Sequence, residues 1–252
     1  MSEAALLHVE NLGRSFSGFR ALDDLNATFG HERVTAVIGP NGAGKSTLFN
    51  ILSGALKPST GRVRFGERLI SNLPQHEFAH LGIARTYQIT NTFPQLSAHE
   101  NVRVAAQALR SRYDFWTPRA RFKELSDKAE AARAAVGLAS RSNRPAAALA
   151  HGEQRALEIA IAIVADPKFL LLDEPTAGMG PEETKDMMTL VARLSETRRI
   201  LLVEHKMKMI LGLSERILVL HHGQLIADGT PAEIQADATV RNVYLGQSGG
   251  YA

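Results

Sequence analysis

The stretch Gly39-Pro40-Asn41-Gly42-Ala43-Gly44-Lys45-Ser46-Thr47 constrains the fold of this chain more than any other. It fits G-x-x-x-x-G-K-[ST], a loop that cradles phosphate between a buried strand and a helix N-terminus. Both flanks agree. Val34 to Ile38 is a short, β-branched apolar run that reads as a buried strand. Thr47 to Leu52 has helical spacing and stops at Gly54, a plausible C-terminal cap. The glycines let the backbone turn sharply and approach an anion. Backbone N–H groups and the positive end of the helix then face that anion. Lys45 is placed to reach the β- and γ-phosphates of a nucleotide, and the Ser46 hydroxyl to hold Mg²⁺. The alternative is a Gly-rich turn that binds nothing, and the Lys-Ser pair between correct flanks argues against it.

Upstream, Leu6 to Leu12 and Ala21 to Phe29 read as strands, with Phe16 to Phe19 as a loop between them. Strands therefore precede the first helix, which predicts an antiparallel β-layer beside a parallel core. Phe16 is a candidate platform for a purine base; taken alone, a core or loop Phe is the commoner role. Downstream, Gly61 to Phe65 is a strand, Pro74 to Leu81 a short helix, and Ile83 to Tyr87 a strand followed by Gln88. Ser97-Ala98-His99-Glu100 is a capping box that opens a helix running to about Arg112. Thr117-Pro118 opens a second helix ending near Gly137, and Gly152 to Ala165 is a third. The strand signal vanishes between Ser97 and about Ala150, which predicts a helical insertion. A helix over Pro181 to Glu196, a strand over Ile200 to Val203 and a hairpin around His221-His222-Gly223 follow. A second capping box at Thr230-Pro231-Ala232-Glu233 opens the C-terminal helices.

Leu170-Leu171-Leu172-Asp173-Glu174 is the second segment that carries chemistry. It is a continuous apolar run, the mark of a strand buried on both faces, ending in carboxylates. Ligands of open parallel sheets bind at that end. Side chains alternate along a strand, so the two acids serve different ends. Asp173 is expected to hold Mg²⁺ and Glu174 to act as general base on the attacking water. A capped turn is the plainer reading of two acids at a strand end. The phosphate loop upstream and Pro175 downstream favour the chemical one.

In this order, the phosphate loop, a lone Gln after a strand, Gly-Glu-Gln before a helix, Leu-Leu-Leu-Asp-Glu-Pro and a His after a β-branched strand resemble an ABC-transporter ATP-binding subunit. The resemblance spans essentially the whole chain. It implies an α/β fold: a P-loop NTPase (RecA-like) core with an antiparallel β-subdomain and an inserted α-helical subdomain. Residues 1–252 are then one ATP-binding domain, with the helical part at about 97–163. It implies that Phe16 stacks on adenine and that Gln88 touches Mg²⁺ and the water. It implies further that Thr176 to Met179 is the D-loop, and that His205 contacts the γ-phosphate. Leu149-Ala150-His151-Gly152-Glu153-Gln154 stands where the family has its L-S-G-G-Q signature. Ala150, His151 and Glu153 depart from that pattern. Gly152 and the helix behind it can still offer N–H groups to an anion, and Glu153 is expected to turn away.

The departures, with Ala84 to Gln88, Glu100-Asn101-Val102, Val203 to Met207 and Val243 to Gly246, resemble the high-affinity branched-chain amino acid importers. Urea and short-chain amide importers use similar subunits. The implied cofactors are ATP and Mg²⁺. The implied partners are a second ATP-binding subunit, two membrane permease subunits and, indirectly, a solute-binding protein, with no nucleic acid. A non-transport ABC ATPase of DNA repair needs a long coiled-coil insertion, and one of translation needs two cassettes; a regulatory module without catalysis fits poorly with intact Lys45, Ser46, Asp173, Glu174 and His205. The chain has no cysteine, hence no disulfide or thiolate metal site. Its Met1-Ser2-Glu3-Ala4 start is unlike a secretory signal, and no apolar run approaches the ~20 residues of a membrane span. The expected location is peripheral, at the cytoplasmic face of the inner membrane. The formal charge of +3 is small; the densest basic patch, Arg110 to Lys123, reads as a solvated helix face. The seven remaining histidines outside the motifs show no metal-ligand spacing.

Overall fold

The computed structural model describes residues 6–86, 92–108 and 119–245. The chain opens with a hairpin, β1 (Leu7–Phe16) and β2 (Phe19–Phe29). Ser17 and Gly18 join the strands at φ 46° and 91°, as a two-residue turn between twisted strands requires. The first strand runs past the Leu12 at which its sequence pattern stops. Register shifts between Val9 and Ser15 break the period-two alternation there, which hides the continuation.

β3 (Val34–Ile38) leads to α1 (Lys45–Leu52), then β4 (Thr60–Phe65), β5 (Arg68–Leu69), α2 (Gln75–Leu81) and β6 (Ile83–Arg85). Three helices follow: α3 (Ala98–Ala108), α4 (Arg119–Ala135) and α5 (His151–Ile163). The remainder alternates: β7 (Phe169–Asp173), α6 (Pro181–Ser195), β8 (Arg199–Val203), α7 (Met207–Leu213). A hairpin of β9 (Arg216–His221) and β10 (Gln224–Gly229) precedes α8 (Pro231–Ala236) and α9 (Ala238–Leu245).

Two sheets result. The smaller is antiparallel, in the order β2-β1-β4-β5; the larger runs β10-β9-β3-β8-β7-β6. All pairings of the larger are parallel except β9 with β10. The mixed architecture is the one expected of an antiparallel layer beside a parallel core. β3 and β7 are buried at every residue, because both faces of the parallel sheet are covered. Alternation sorts their side chains between cores. Leu171 and Leu201 pack with Leu7, Phe29, Phe49 and Phe65 beneath the antiparallel sheet. Leu170, Leu172 and Leu202 pack with Val102, Leu157 and Val191 on the helical side.

α3, α4 and α5 pack on one another; among the described residues from 97 to 163 the β-pairing is a single bridge, Ser97 with Pro145. Ser97 Oγ accepts from the Glu100 N–H at 3.1 Å, but the Glu100 carboxylate turns to Arg103, so only half of the expected box forms. The Thr230 box forms in full. Asn101, buried at the base of α3, staples the preceding segment. Its Oδ1 accepts from Phe93 N–H at 2.7 Å, and its Nδ2 donates to the carbonyls of Phe93, Leu96 and Ser97. Asn101→Ala leaves these half-buried backbone groups without their partner. We expect a loss of about 1–3 kcal/mol in urea unfolding, with local exposure of Phe93 to Ser97 in limited proteolysis.

Candidate nucleotide-binding site

Three strand ends meet at the site. Val37 of β3 pairs with Val203 of β8, and Val203 with Asp173 of β7. Gly39, His205 and Glu174 therefore leave the sheet side by side, at the C-terminal edge where open parallel sheets bind ligands. The loop from Gly39 to Gly44 is held on both sides. A Cβ on Gly39 would lie 2.2 Å from the Leu220 carbonyl, and one on Gly44 2.5 Å from that of Ala21. Both glycines also have positive φ, 154° and 104°, which disfavours side chains. Gly44 is the N-cap of α1, so the helix begins at Lys45, two residues before the Thr47 at which the helical spacing starts. Its first turn carries no acidic side chain, leaving the positive helix end free to act on an anion. Pro40, Asn41, Gly42, Ser46 and Thr47 line the accessible side, while Ala43 is buried.

Lys45 is 7% exposed. Its Nζ donates to the Gly39 and Pro40 carbonyls at 2.6 and 2.9 Å. Burial pushes its pKa down, and the charges of Glu174 and Asp173 oppose that shift. The two acids end up in different surroundings, though not through strand alternation. β7 ends at Asp173, and Glu174 is turned into the left-handed region at φ 48°. That conformation costs a non-glycine residue about 1–3 kcal/mol and recurs at functional sites. It aims the Glu174 carboxylate at His205, with Oε1 to Nε2 at 3.0 Å.

Asp173 stays inside, where Arg85 meets it. Arg85 Nη2 donates to Asp173 Oδ2 at 2.8 Å, and its Nη1 to Asn50 Oδ1 and Ser53 Oγ at 2.7 and 3.1 Å. Sequence reading missed Arg85; a cation at the end of a strand beside the Leu-Leu-Leu-Asp strand was the available signal. The Ser46 hydroxyl and the Asp173 carboxylate are hard oxygen donors. Among the described residues no cluster of three or more His, Cys, Asp or Glu forms a dedicated metal cage. Mg²⁺ suits such a set, since it takes one or two protein oxygens together with phosphate oxygens and water. Gln88, expected to join them, falls in 87–91, outside the described residues.

Phe16 stands at the tip of the hairpin whose second strand touches the loop at Ala21. It is 41% exposed, with the Arg14 guanidinium 4.6 Å from its ring centroid. Ala150 to Glu153 form the N-terminus of α5. Glu153 turns into the helical part, as expected: it pairs with Arg141 at 2.7 Å and accepts from the Ala150 N–H. The Arg141 guanidinium, foremost, holds its carboxyl below the usual range. The Gly152 N–H is not simply open to an anion. It donates to Glu183 Oε1 at 3.2 Å, so a carboxylate of the same chain already sits on it. His151 Nε2 donates to the Ala177 carbonyl at 3.0 Å, tying this segment to Thr176–Met179.

A family model described as ABC transporter matches residues 22–177, more than half of the chain. The chain belongs to the ABC transporter family. A second model, described as branched-chain amino acid ATP-binding cassette transporter, matches residues 224–249. The high-affinity branched-chain amino acid transport ATP-binding protein LivG of Salmonella typhimurium is 39% identical over 96% of this chain and 98% of its own. Its counterpart BraF of Pseudomonas aeruginosa is 38% identical over the same shares. A solved nucleotide-free ATP-binding cassette from an ABC transporter has a TM-score of 0.85 at 31% identity, covering 96% of this chain and 99% of that one. The ABC fold and the ATPase activity of the family are those that the resemblance implied.

The Arg85–Asp173 pair is 7% and 4% exposed. Breaking a buried pair leaves a charge uncompensated. Arg85→Met should therefore cost about 3–5 kcal/mol, read as a lowered denaturation midpoint. The double change Arg85→Met, Asp173→Asn should recover part of that loss.

Proposed function

We propose that this chain couples ATP hydrolysis to the uptake of branched-chain amino acids through separate membrane permease subunits. The observation that carries the chemistry is the Glu174–His205 contact beside the Lys45 loop. ATP would lie with its phosphates along Gly39 to Thr47, on the loop N–H groups and the positive end of α1. Phe16 would stack on adenine and Lys45 would swing from its two carbonyls to the β- and γ-phosphates. Ser46 and Asp173 would hold Mg²⁺, which would neutralise part of the negative charge on the phosphates. Glu174 orients a water in line with the γ-phosphorus and takes up its proton as the new P–O bond forms and the bond to the ADP oxygen breaks. His205 fixes Glu174 from the other side and contacts the γ-phosphate. Positioning and charge stabilisation carry the step.

The site is half of a pair in this reading. A second subunit would present its own Ala150 to Gln154 segment to the γ-phosphate, displacing Glu183 from the Gly152 N–H. No helix among the described residues is long and apolar enough to cross a membrane, which fits a subunit that docks from the cytoplasmic face on permeases. The solute assignment rests on the LivG and BraF likeness and on the match at residues 224–249.

Glu174→Gln keeps the side chain's shape and loses its basicity. We expect turnover to fall by about 10²–10⁴ while ATP binding, read with a fluorescent nucleotide, holds. Near-normal turnover would remove Glu174 from the base role. In vesicles with the permeases and the solute-binding protein, leucine, isoleucine or valine should stimulate hydrolysis. Stimulation by urea or a short-chain amide instead would reassign the solute.

A further inference from the structure

His205 is flanked by Glu204 and Lys206, two charged residues that the reaction does not use. Glu204 is 3% exposed at the end of β8. Its Oε1 accepts from the N–H of Thr176 at 3.0 Å and from the Thr176 hydroxyl. Its Oε2 accepts from the N–H groups of His205 and Lys206 at 2.8 and 3.1 Å. All four acceptor directions of the carboxylate are taken. Lys206 reaches back across the same segment. Its Nζ donates to the carbonyls of Thr176 and Met179 at 3.1 and 2.9 Å, and to Thr184 Oγ1 at 2.9 Å. An ammonium has three donors, and each has an acceptor. Thr176, fully buried, lies at the centre of both sets.

The segment so held is the continuation of Glu174. The Ala177 N–H donates to the Glu174 carbonyl at 3.0 Å, and the Ala177 carbonyl takes the bond from His151. Glu204 grips the backbone of His205 with one oxygen and the turn after Glu174 with the other. Charge-assisted bonds of this kind are stronger than neutral ones, and here they tie the segment after Glu174 to the loop of His205, whose side chains touch each other. Without that grip, the His205 loop would keep the Glu174 N–H bond to the Val203 carbonyl and the imidazole contact, and neither of them reaches residues 176–179.

We propose that Glu204 and Lys206 are positioning residues: a two-charge clamp that locks residues 176–179 onto the His205 loop and so fixes the Glu174–His205 geometry. The proposal rests on the reading of Glu174 and His205 as the hydrolytic pair. The clamp binds neither nucleotide nor metal. It sets where the base points, and through His151 it extends the same rigid body to the segment at the N-terminus of α5.

The test uses the full chain with Lys206→Met, which keeps the length and apolar stem of the lysine, and with Glu204→Gln, whose amide would confront two N–H donors. Lys206 is only half-buried, so its variant serves if the Glu204 variant does not fold. Amide exchange over 176–179 should accelerate at least about tenfold, while the peptide covering β3 stays protected. The kcat for ATP hydrolysis should fall about 10- to 100-fold, as for a misplaced catalytic group, with the affinity for a fluorescent ATP analogue unchanged. Unchanged exchange over 176–179 would overturn the clamp. Faster exchange with unaltered kcat would overturn its positioning role, as would a loss that falls on nucleotide affinity instead. A wild-type chain that hydrolyses no ATP would instead sink the proposed function, and the exchange measurement would still judge the clamp.

Discussion

The parallel hydrogen bonds that pair Val37 with Val203, and Val203 with Asp173, set the level at which three strands end. The rest of the site depends on that level. Gly39, Glu174 and His205 lie on three separate stretches of sequence and become neighbours only because β3, β8 and β7 are in this register. Two cores defend it. Leu171 and Leu201 face the antiparallel layer, whereas Leu170, Leu172 and Leu202 face the helices. A slip of one residue would reverse that assignment for a whole strand. Packing that has no contact with a nucleotide thus places the groups that do.

Charge is placed inside this frame only where it is answered. Asp173 has Arg85, Glu204 has four donors, and Lys206 has three acceptors. Desolvating such groups is costly, and the cost is met by near-complete hydrogen bonding. Lys45 differs. Its two carbonyl contacts are local to its own loop, and burial weakens its hold on the proton. A cation so placed gains from a nearby phosphate more than a fully paired one would.

The phosphate loop, the Leu-Leu-Leu-Asp strand and the order of layers were legible in the sequence because each is written locally, in spacing and in runs. Tertiary partners were not. Arg85 draws its contacts from Asn50 and Ser53 at the end of α1 and from Asp173 on β7, both far from it in sequence. Glu204 and Lys206 carry no local mark of their contacts, since Thr176 stands 28 residues before the acid. The left-handed turn at Glu174 has no glycine to announce it. α7 leaves no mark in the sequence, because its seven residues bury only Met209 and Ile210, too few for a periodic stripe. The sequence around Gly152 shows an N–H group that can face an anion, but not the Glu183 carboxylate on it, which comes from another helix.

The close approach of two carbonyls to Gly39 and Gly44 has one more consequence. Ala43 accepts from Gly223, and Gly223 in turn accepts from Asp23, so the loop is wedged between the β2 end of one sheet and the β9–β10 turn of the other. A loop seated this way has already lost its conformational freedom when the chain folds. An arriving phosphate then has little left to order, and its binding energy remains available for holding the anion in place.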